Sequence, residues 1–439
     1  MVGGLAGSFE LGGLQVDYGS HRLHPSCDVS ILADIRQLLG ADLLDRPRHG
    51  RIRLRGRWIH FPLKPLDLLL SLPPAFALGG AFDVAKRAWP FGRNGLNGHG
   101  ESFASVLQSS LGETICRDFY FPYARKIWGR APEDLSAIQA RRRVKAGSMG
   151  KILKKVLSAV PGLKPPGGGR FYYPRQGYGQ IVRAYDAAAR AKGSEVVLGA
   201  AVEAVHLVGR GAEVEYTADG SLRRIPADYV WSTIPVTALT RSIRPQAPPE
   251  VLEACDSIRY RSMILIYLVL AQPRFSEFDA HYFPEADVPI TRLSEPRNYS
   301  RVDDPADRTV LCAELPCEKG DAHWAMPDAQ LGDLVRDALA RLEQPITGRV
   351  LEVTTRRLPQ AYPIYQQGYE ASFDRIDHWL GGLSAVLTLG RQGLFAHDNT
   401  HHTLAMAYAA AACVDAQAGF DQSRWQQYRK AFESHIVED

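Results

Sequence analysis

Read as apolar and polar positions alone, the chain changes periodicity several times. Between residues 26 and 39 the apolar side chains Val29, Leu32, Ile35, Leu38 and Leu39 recur at helical spacing, and Gly40 stands where a C-terminal glycine stop belongs. Residues 51–54 and 57–61 alternate around Arg55-Gly56, which predicts a hairpin. From 62 to about 160 the pattern is helices and loops, including 101–111 and the stretch 115–128. A Pro/Gly cluster at 165–169 then marks a crossing between domains. Beyond it come an amphipathic helix at 180–192 and strands at 195–198, 202–208, 213–217 and within 228–235. A second strand-rich region covers 263–270, 310–315 and 350–355, with a helix near 329–343. The tail reads as a strand at 385–389, a loop at Gly390 and an alanine-rich helix from 400 to about 417. No solenoid repeat is present.

Composition narrows this picture. A chain of 439 residues, 45% hydrophobic, can bury more than one core. A net charge of +4 is too mild to argue for nucleic acid. Cys27, Cys116, Cys255, Cys312, Cys317 and Cys413 contain no CxxC pair, which fits buried thiols in a reducing compartment. With no signal peptide at its start, the expected location is cytoplasmic. The most apolar run, 68–82, carries Pro73-Pro74 and is shorter than the ~20 residues a membrane span needs. It reads as a buried or interfacial helix pair, which leaves peripheral membrane contact open.

Chemistry concentrates at the two ends. Gly3-Gly4 and Gly19-Ser20-His21 are loops suited to close approach of a ligand. Near the C-terminus a strand ends in Gly390, Arg391 follows, and a helix begins just past Asn399. Glycine lets main chain approach a diphosphate, arginine pairs with it bidentately, and a helix N-terminus presents free N–H groups to an anion. An ordinary strand-to-helix connection capped by Asn399 would have the same spacing. His397, His401 and His402 place imidazoles one turn apart, yet no carboxylate or cysteine pattern supports them, so no metal is expected. Arg141, Arg142 and Arg143, with Lys145, Lys151, Lys154 and Lys155, read as a solvated face or an attractor for an anionic substrate or lipid headgroup. No nucleophile elbow is present.

The segments 3–8, 16–22, 171–179, 228–235 and 390–393 appear in an order that resembles the FAD-dependent amine-oxidase superfamily. That group includes protoporphyrinogen oxidases, phytoene-desaturase-like enzymes and UDP-galactopyranose mutases. The resemblance implies an α/β fold: a discontinuous, N-terminally truncated Rossmann-like FAD-binding domain with an inserted α+β substrate domain. The first would comprise 1–61, 165–235 and 376–439, and the second 62–164 and 236–375. Gly3 and Gly4 would lie against the FAD diphosphate, and Gly19, Ser20 and His21 beside the isoalloxazine. Val202 would meet the adenine. Gly390, Arg391, Asn399, Thr400 and Thr403 would complete the cofactor side, the helix start offsetting charge near flavin N1. A whole member opens on a strand, GxGxxG and a helix; no GxGxxG occurs here, so the expectation is that roughly the first 30 residues of that unit are missing.

Arg125 and Lys126, within a motif running to Gly129, are substrate candidates by the same resemblance. Tyr173 and Tyr362 would bring aromatic rings towards the flavin, although an aromatic stripe is more often core than cage. The implied activity is hydride transfer from a C–H or C–N bond of a small-molecule substrate to FAD. No side chain stands out as an obligatory acid or base. A mutase-like, non-redox isomerase and a cofactor-free remnant remain as alternatives.

Overall fold

The computed structural model describes residues 1–62, 101–143, 169–300, 302–303 and 305–437, with scattered positions between 71 and 83. Most of the apolar run at 68–82, the lysines 145, 151, 154 and 155, and most of the cluster at 165–169 lie outside them. Among the described residues, no helix is long and apolar enough to cross a membrane.

The organising element is a seven-stranded sheet in the order Arg349–Ile364, Arg259–Ala271, Thr309–Cys317, Arg292–Ser294, Ala280–Tyr282, Gly50–Leu54, Arg57–Phe61. All neighbours are antiparallel except Ala280–Tyr282 with Gly50–Leu54. Strand Arg259–Ala271 reads as a nearly unbroken apolar run because both its faces are covered. Ile264, Ile266, Leu268 and Leu270 pack against Leu331, Val335 and Leu339 of the helix Asp328–Arg341. Met263, Leu265, Tyr267 and Val269 pack against the small hairpin Ser8–Leu11/Leu14–Asp17.

Beside this sheet stand a four-stranded sheet and a two-stranded parallel pair, Val230–Ser232 with Val386–Thr388. Helix Val29–Leu39 is capped by Asp28, whose carboxylate accepts from the Ser30 and Ile31 N–H groups, and it packs on helix Gly179–Ala191. Tyr408 ties both to helix Thr400–Ala411: its hydroxyl donates to Asp34 (2.6 Å) and meets the Tyr185 hydroxyl (2.9 Å).

The structure corrects several expectations. Residues 195–198 form no strand; Val197 and Leu198 are exposed, and no described strand pairs with them. The C-terminal helix ends at Ala411, not near 417, because the Asp415 carboxylate accepts from the N–H groups of Gln417 and Gly419 and turns the chain. Asp421 then caps a further helix, Gln422–Phe432, which the pattern did not reveal. Strand Ser221–Ala227 was also unforeseen, although Asp219-Gly220, both at positive φ, form the two-residue connection typical of hairpins. The predicted hairpin at 50–61 forms and joins the edge of the seven-stranded sheet.

Candidate functional site

Gly3 sits at φ +104°, and a Cβ there would meet Gly7 and Val182 at 3.2–3.3 Å. Gly4 has open space where a side chain would stand. A bare main-chain surface therefore faces outward from this turn. The loop after the small hairpin is held from beneath by Asp17. Its buried carboxylate accepts from the Ser8 hydroxyl (2.6 Å), the Tyr173 hydroxyl (2.6 Å) and the Tyr178 N–H (2.8 Å). Burial pushes Asp17 up to about 6 despite those donors. Tyr173, expected near substrate, is part of this clasp and fully buried.

The loop itself turns on Gly19 (φ +97°), where a Cβ would meet the Glu314 carboxylate at 3.3 Å. Ser20 N–H donates to that same oxygen (3.0 Å). Glu314 is held in turn by Arg292, bidentately at 2.7–2.9 Å. His21 stacks on Tyr178 with ring centroids 5.3 Å apart. Burial, then the guanidinium groups of Arg292 and Arg391, pull its imidazole down to about 4, so it is neutral at pH 7. Arg22 leaves the loop sideways, donating to the Tyr282 hydroxyl (3.0 Å) and the Asp279 carboxylate (3.3 Å).

From the other end of the chain, Gly390 takes φ +77° one residue past strand Val386–Thr388, after Leu389. Arg391 lies over the Tyr362 ring (4.6 Å) and donates to the Ala361 carbonyl (3.1 Å). Its guanidinium is largely buried and makes no salt bridge within 4 Å among the described residues; its Nε has no hydrogen-bond partner. Burial lowers its affinity for its proton. A buried guanidinium in that state is stabilised by an incoming anion. Asn399 and His402 form a capping box at the start of helix Thr400–Ala411.

These segments converge on one cavity of about 640 Å³. Its lining includes Gly3, Gly4, Gly19, Ser20, His21, Gly390, Arg391, Asn399, Thr400, Thr403 and Tyr362. Every cofactor-side position expected from sequence is there except Val202, which lies exposed on strand Ala201–Val208. Met263, Leu265, Leu358 and Ala361 give an apolar floor, contributed by the seven-stranded sheet. The volume and the mix of apolar floor and few convergent polar groups are those of a small-molecule site.

Three substrate candidates lie elsewhere. Arg125 is exposed. The Lys126 ammonium donates to the carbonyls of Phe283 (2.5 Å), Glu285 (2.9 Å) and Ile290 (2.9 Å), joining helix Phe121–Trp128 to the sheet's far loop. Burial brings it down to about 7. Tyr173 serves the Asp17 clasp. Arg142, read as part of a solvated face, is instead half-buried, donating to the Tyr365 hydroxyl (3.3 Å). Sequence reasoning missed Arg292, Glu314, Met263, Leu265, Leu358 and Asp398 in the lining. The apolar run at 263–270 was visible, but not which of its faces opens on a cavity.

Solved structures share this architecture. Reduced UDP-galactopyranose mutase is 18% identical, with 99% of this chain and 92% of that one covered at a TM-score of 0.80. A protein of Exiguobacterium sp. 255-15 assigned to protoporphyrinogen oxidase is 17% identical, covering 88% and 84% at 0.62. Wild-type putrescine oxidase bound to putrescine is 19% identical, covering 92% and 89% at 0.56. No protein of curated function matches the chain by sequence. The family described as flavin containing amine oxidoreductase matches residues 1–410, the whole span from the Gly3 turn to helix Thr400–Ala411. With glycine turns, a buried guanidinium and a helix start converging on one cavity inside that span, the chain belongs to the flavin-containing amine oxidoreductase family, and its cofactor is FAD.

Proposed function

We propose that the chain is an FAD-dependent oxidoreductase that takes a hydride from a carbon of a small substrate in the 640 Å³ cavity, oxidising a C–H or C–N bond. The observation that carries this reading is the convergence of both chain ends on an apolar floor. The residues fit the cofactor. Gly4 and Gly390 offer bare main chain, Arg391 is a buried cation with a free donor, and the helix start at Asn399 supplies a positive dipole end. Gly3, Gly4, Gly390 and Arg391 would hold the diphosphate side, and Gly19, Ser20, His21, Asn399, Thr400 and Thr403 the ring side. When bound, FAD supplies a two-electron acceptor.

The chain's own residues set the rest. Met263, Leu265, Leu358 and Ala361 exclude water from the floor. His21, neutral at pH 7, offers a hydrogen bond without adding charge. Of the carboxylates lining the cavity, Glu314 is engaged by Arg292, and Asp398 meets His435 (2.8 Å) through one of its two oxygens.

The second reading is a flavin-dependent isomerase of UDP-sugars, favoured by the fold likeness to the mutase over 99% of the chain. Anaerobic mixing with candidate substrates separates the two. Bleaching of the flavin band in step with product supports the oxidoreductase. Turnover of UDP-galactopyranose only after chemical reduction, with no net electron transfer, replaces it with the isomerase. A chain that stays colourless after incubation with FAD sinks both.

A further inference from the structure

Beyond the flavin cavity, a carboxylate and two imidazoles meet on the wall it shares with a second cavity of about 500 Å³ between helices Tyr369–Gly381 and Gln422–Phe432. Asp398 lines both cavities, and its side chain is 0% exposed. Its Oδ2 accepts from His435 Nδ1 at 2.8 Å. Its Oδ1 is buried with no hydrogen-bond partner. The cations and imidazoles nearest that oxygen stop short of it, Arg142 Nη1 at 3.8 Å and His402 Nδ1 at 3.9 Å. The rings of His402 and His435 stack at 4.2 Å. One donor atom from each of Asp398, His402 and His435 lies within 4.8 Å of the other two.

We infer that Asp398, His402 and His435 form a binding site for one divalent transition-metal ion of the zinc type. An oxygen with two imidazole nitrogens suits Zn²⁺, Co²⁺ or Fe²⁺ and not the all-oxygen preference of Mg²⁺ or Ca²⁺. Metal bonds of about 2.0–2.1 Å place neighbouring tetrahedral donors roughly 3.3 Å apart. The observed 2.8 and 3.9 Å fall on either side of that value. His402 Nδ1 is available because it now accepts only a long bond from Asn399 N–H, at 3.3 Å. The stacked rings must turn towards the ion. His435 lies past helix Gln422–Phe432, so its ring can turn without distorting that helix. Three protein ligands leave a fourth position for water.

The ion would tie the C-terminal tail to the start of helix Thr400–Ala411. Val437, two residues beyond His435, donates its N–H to the Arg142 carbonyl (2.9 Å) and lines the flavin cavity. Metal binding would therefore hold the tail in place as part of that cavity's wall. This inference does not depend on the reaction proposed above.

The test is calorimetry and visible spectroscopy on the full chain, stripped with chelator and titrated with Zn²⁺ or Co²⁺. One ion per chain and cobalt d–d bands are expected. His435→Gln and Asp398→Asn should each weaken Zn²⁺ binding by at least ~100-fold, the upper end of what losing only a supporting contact causes. His435→Cys should retain one Co²⁺ per chain and add a sulfur-to-cobalt charge-transfer band that Asp398→Asn, with the same six native cysteines, does not show. Absence of saturable one-to-one binding overturns the inference. So does binding left unchanged in both His435→Gln and Asp398→Asn, or a His435→Cys protein lacking the new band.

Discussion

The two faces of strand Arg259–Ala271 use the same kinds of residue for different ends. One face sends Ile264, Ile266, Leu268 and Leu270 into a dry core closed by the helix Asp328–Arg341. The other sends Met263 and Leu265 to the floor of the flavin cavity, where Arg292, Glu314 and Arg391 stand close by. On the cavity face a buried carboxylate stands at the lining and holds main chain in place: Glu314 binds both Arg292 and the Ser20 N–H. The lesson is that burial alone does not reveal function. What distinguishes the faces is whether buried polar groups are left facing space.

The comparison breaks most sharply at Glu314. Glu314→Ala leaves the Arg292 guanidinium buried without its partner and should lower stability by about 3–5 kcal/mol. It should also weaken FAD binding in the folded fraction, because the loop at Ser20 loses its acceptor. Urea unfolding together with flavin fluorescence reads both. On the dry face, Ile266→Ala should cost about 2–5 kcal/mol while leaving FAD affinity unchanged. An equal loss of affinity would mean the faces are not separable.

Acid tests both faces at once. His21, on the cavity side, is held down to about 4, and His281, beside Arg51 and Trp58, to about 3. The unfolded imidazoles bind protons near 6.5 and the folded ones do not, so stability rises with pH through this window and falls as pH drops from 6.5 towards 4. Each contributes on the order of 3 kcal/mol by pH 4. His281→Gln, keeping an acceptor for Arg51, should remove its share of that slope. Asp17, held up to about 6, works in the opposite sense over part of this window, so the share is read from the variant: a slope unchanged in His281→Gln would refute the His281 assignment.

The smallest effect belongs to Tyr362→Phe. The ring stays over Arg391, so stability should change by less than ~0.5 kcal/mol. A change confined to KM would place its hydroxyl against substrate; no kinetic change would make it a cavity wall only.

What could be read from the chain was local. The glycines at 3, 4, 19 and 390 announce main-chain turns, and Asn399 announces a helix start, because each works through its own dihedrals or its nearest N–H groups. What could not be read depends on distant partners. Lys126 sits three residues before Gly129, as a motif would have it, yet its ammonium is consumed by carbonyls more than 150 residues away. Tyr173 meets Asp17 only after the strand Arg170–Pro174 pairs with Leu43–Pro47. Arg292 and Glu314 become one unit only through the register of adjacent strands. The unbroken apolar run at 263–270 marks two faces equally, and the hairpin Ser8–Leu11/Leu14–Asp17 packs on the one that borders the cavity.

The central claim is that Arg391, buried with an open donor beside the cavity, is held for the cofactor. Titrating FAD into Arg391→Gln and into Leu268→Val, a dry-face control, tests it most directly. Losing a charge-assisted contact of about 1.5–3 kcal/mol should weaken FAD binding by roughly 10- to 100-fold in Arg391→Gln. Leu268→Val should bind as the unaltered chain does. Equal affinities for Arg391→Gln and the unaltered chain would contradict the account.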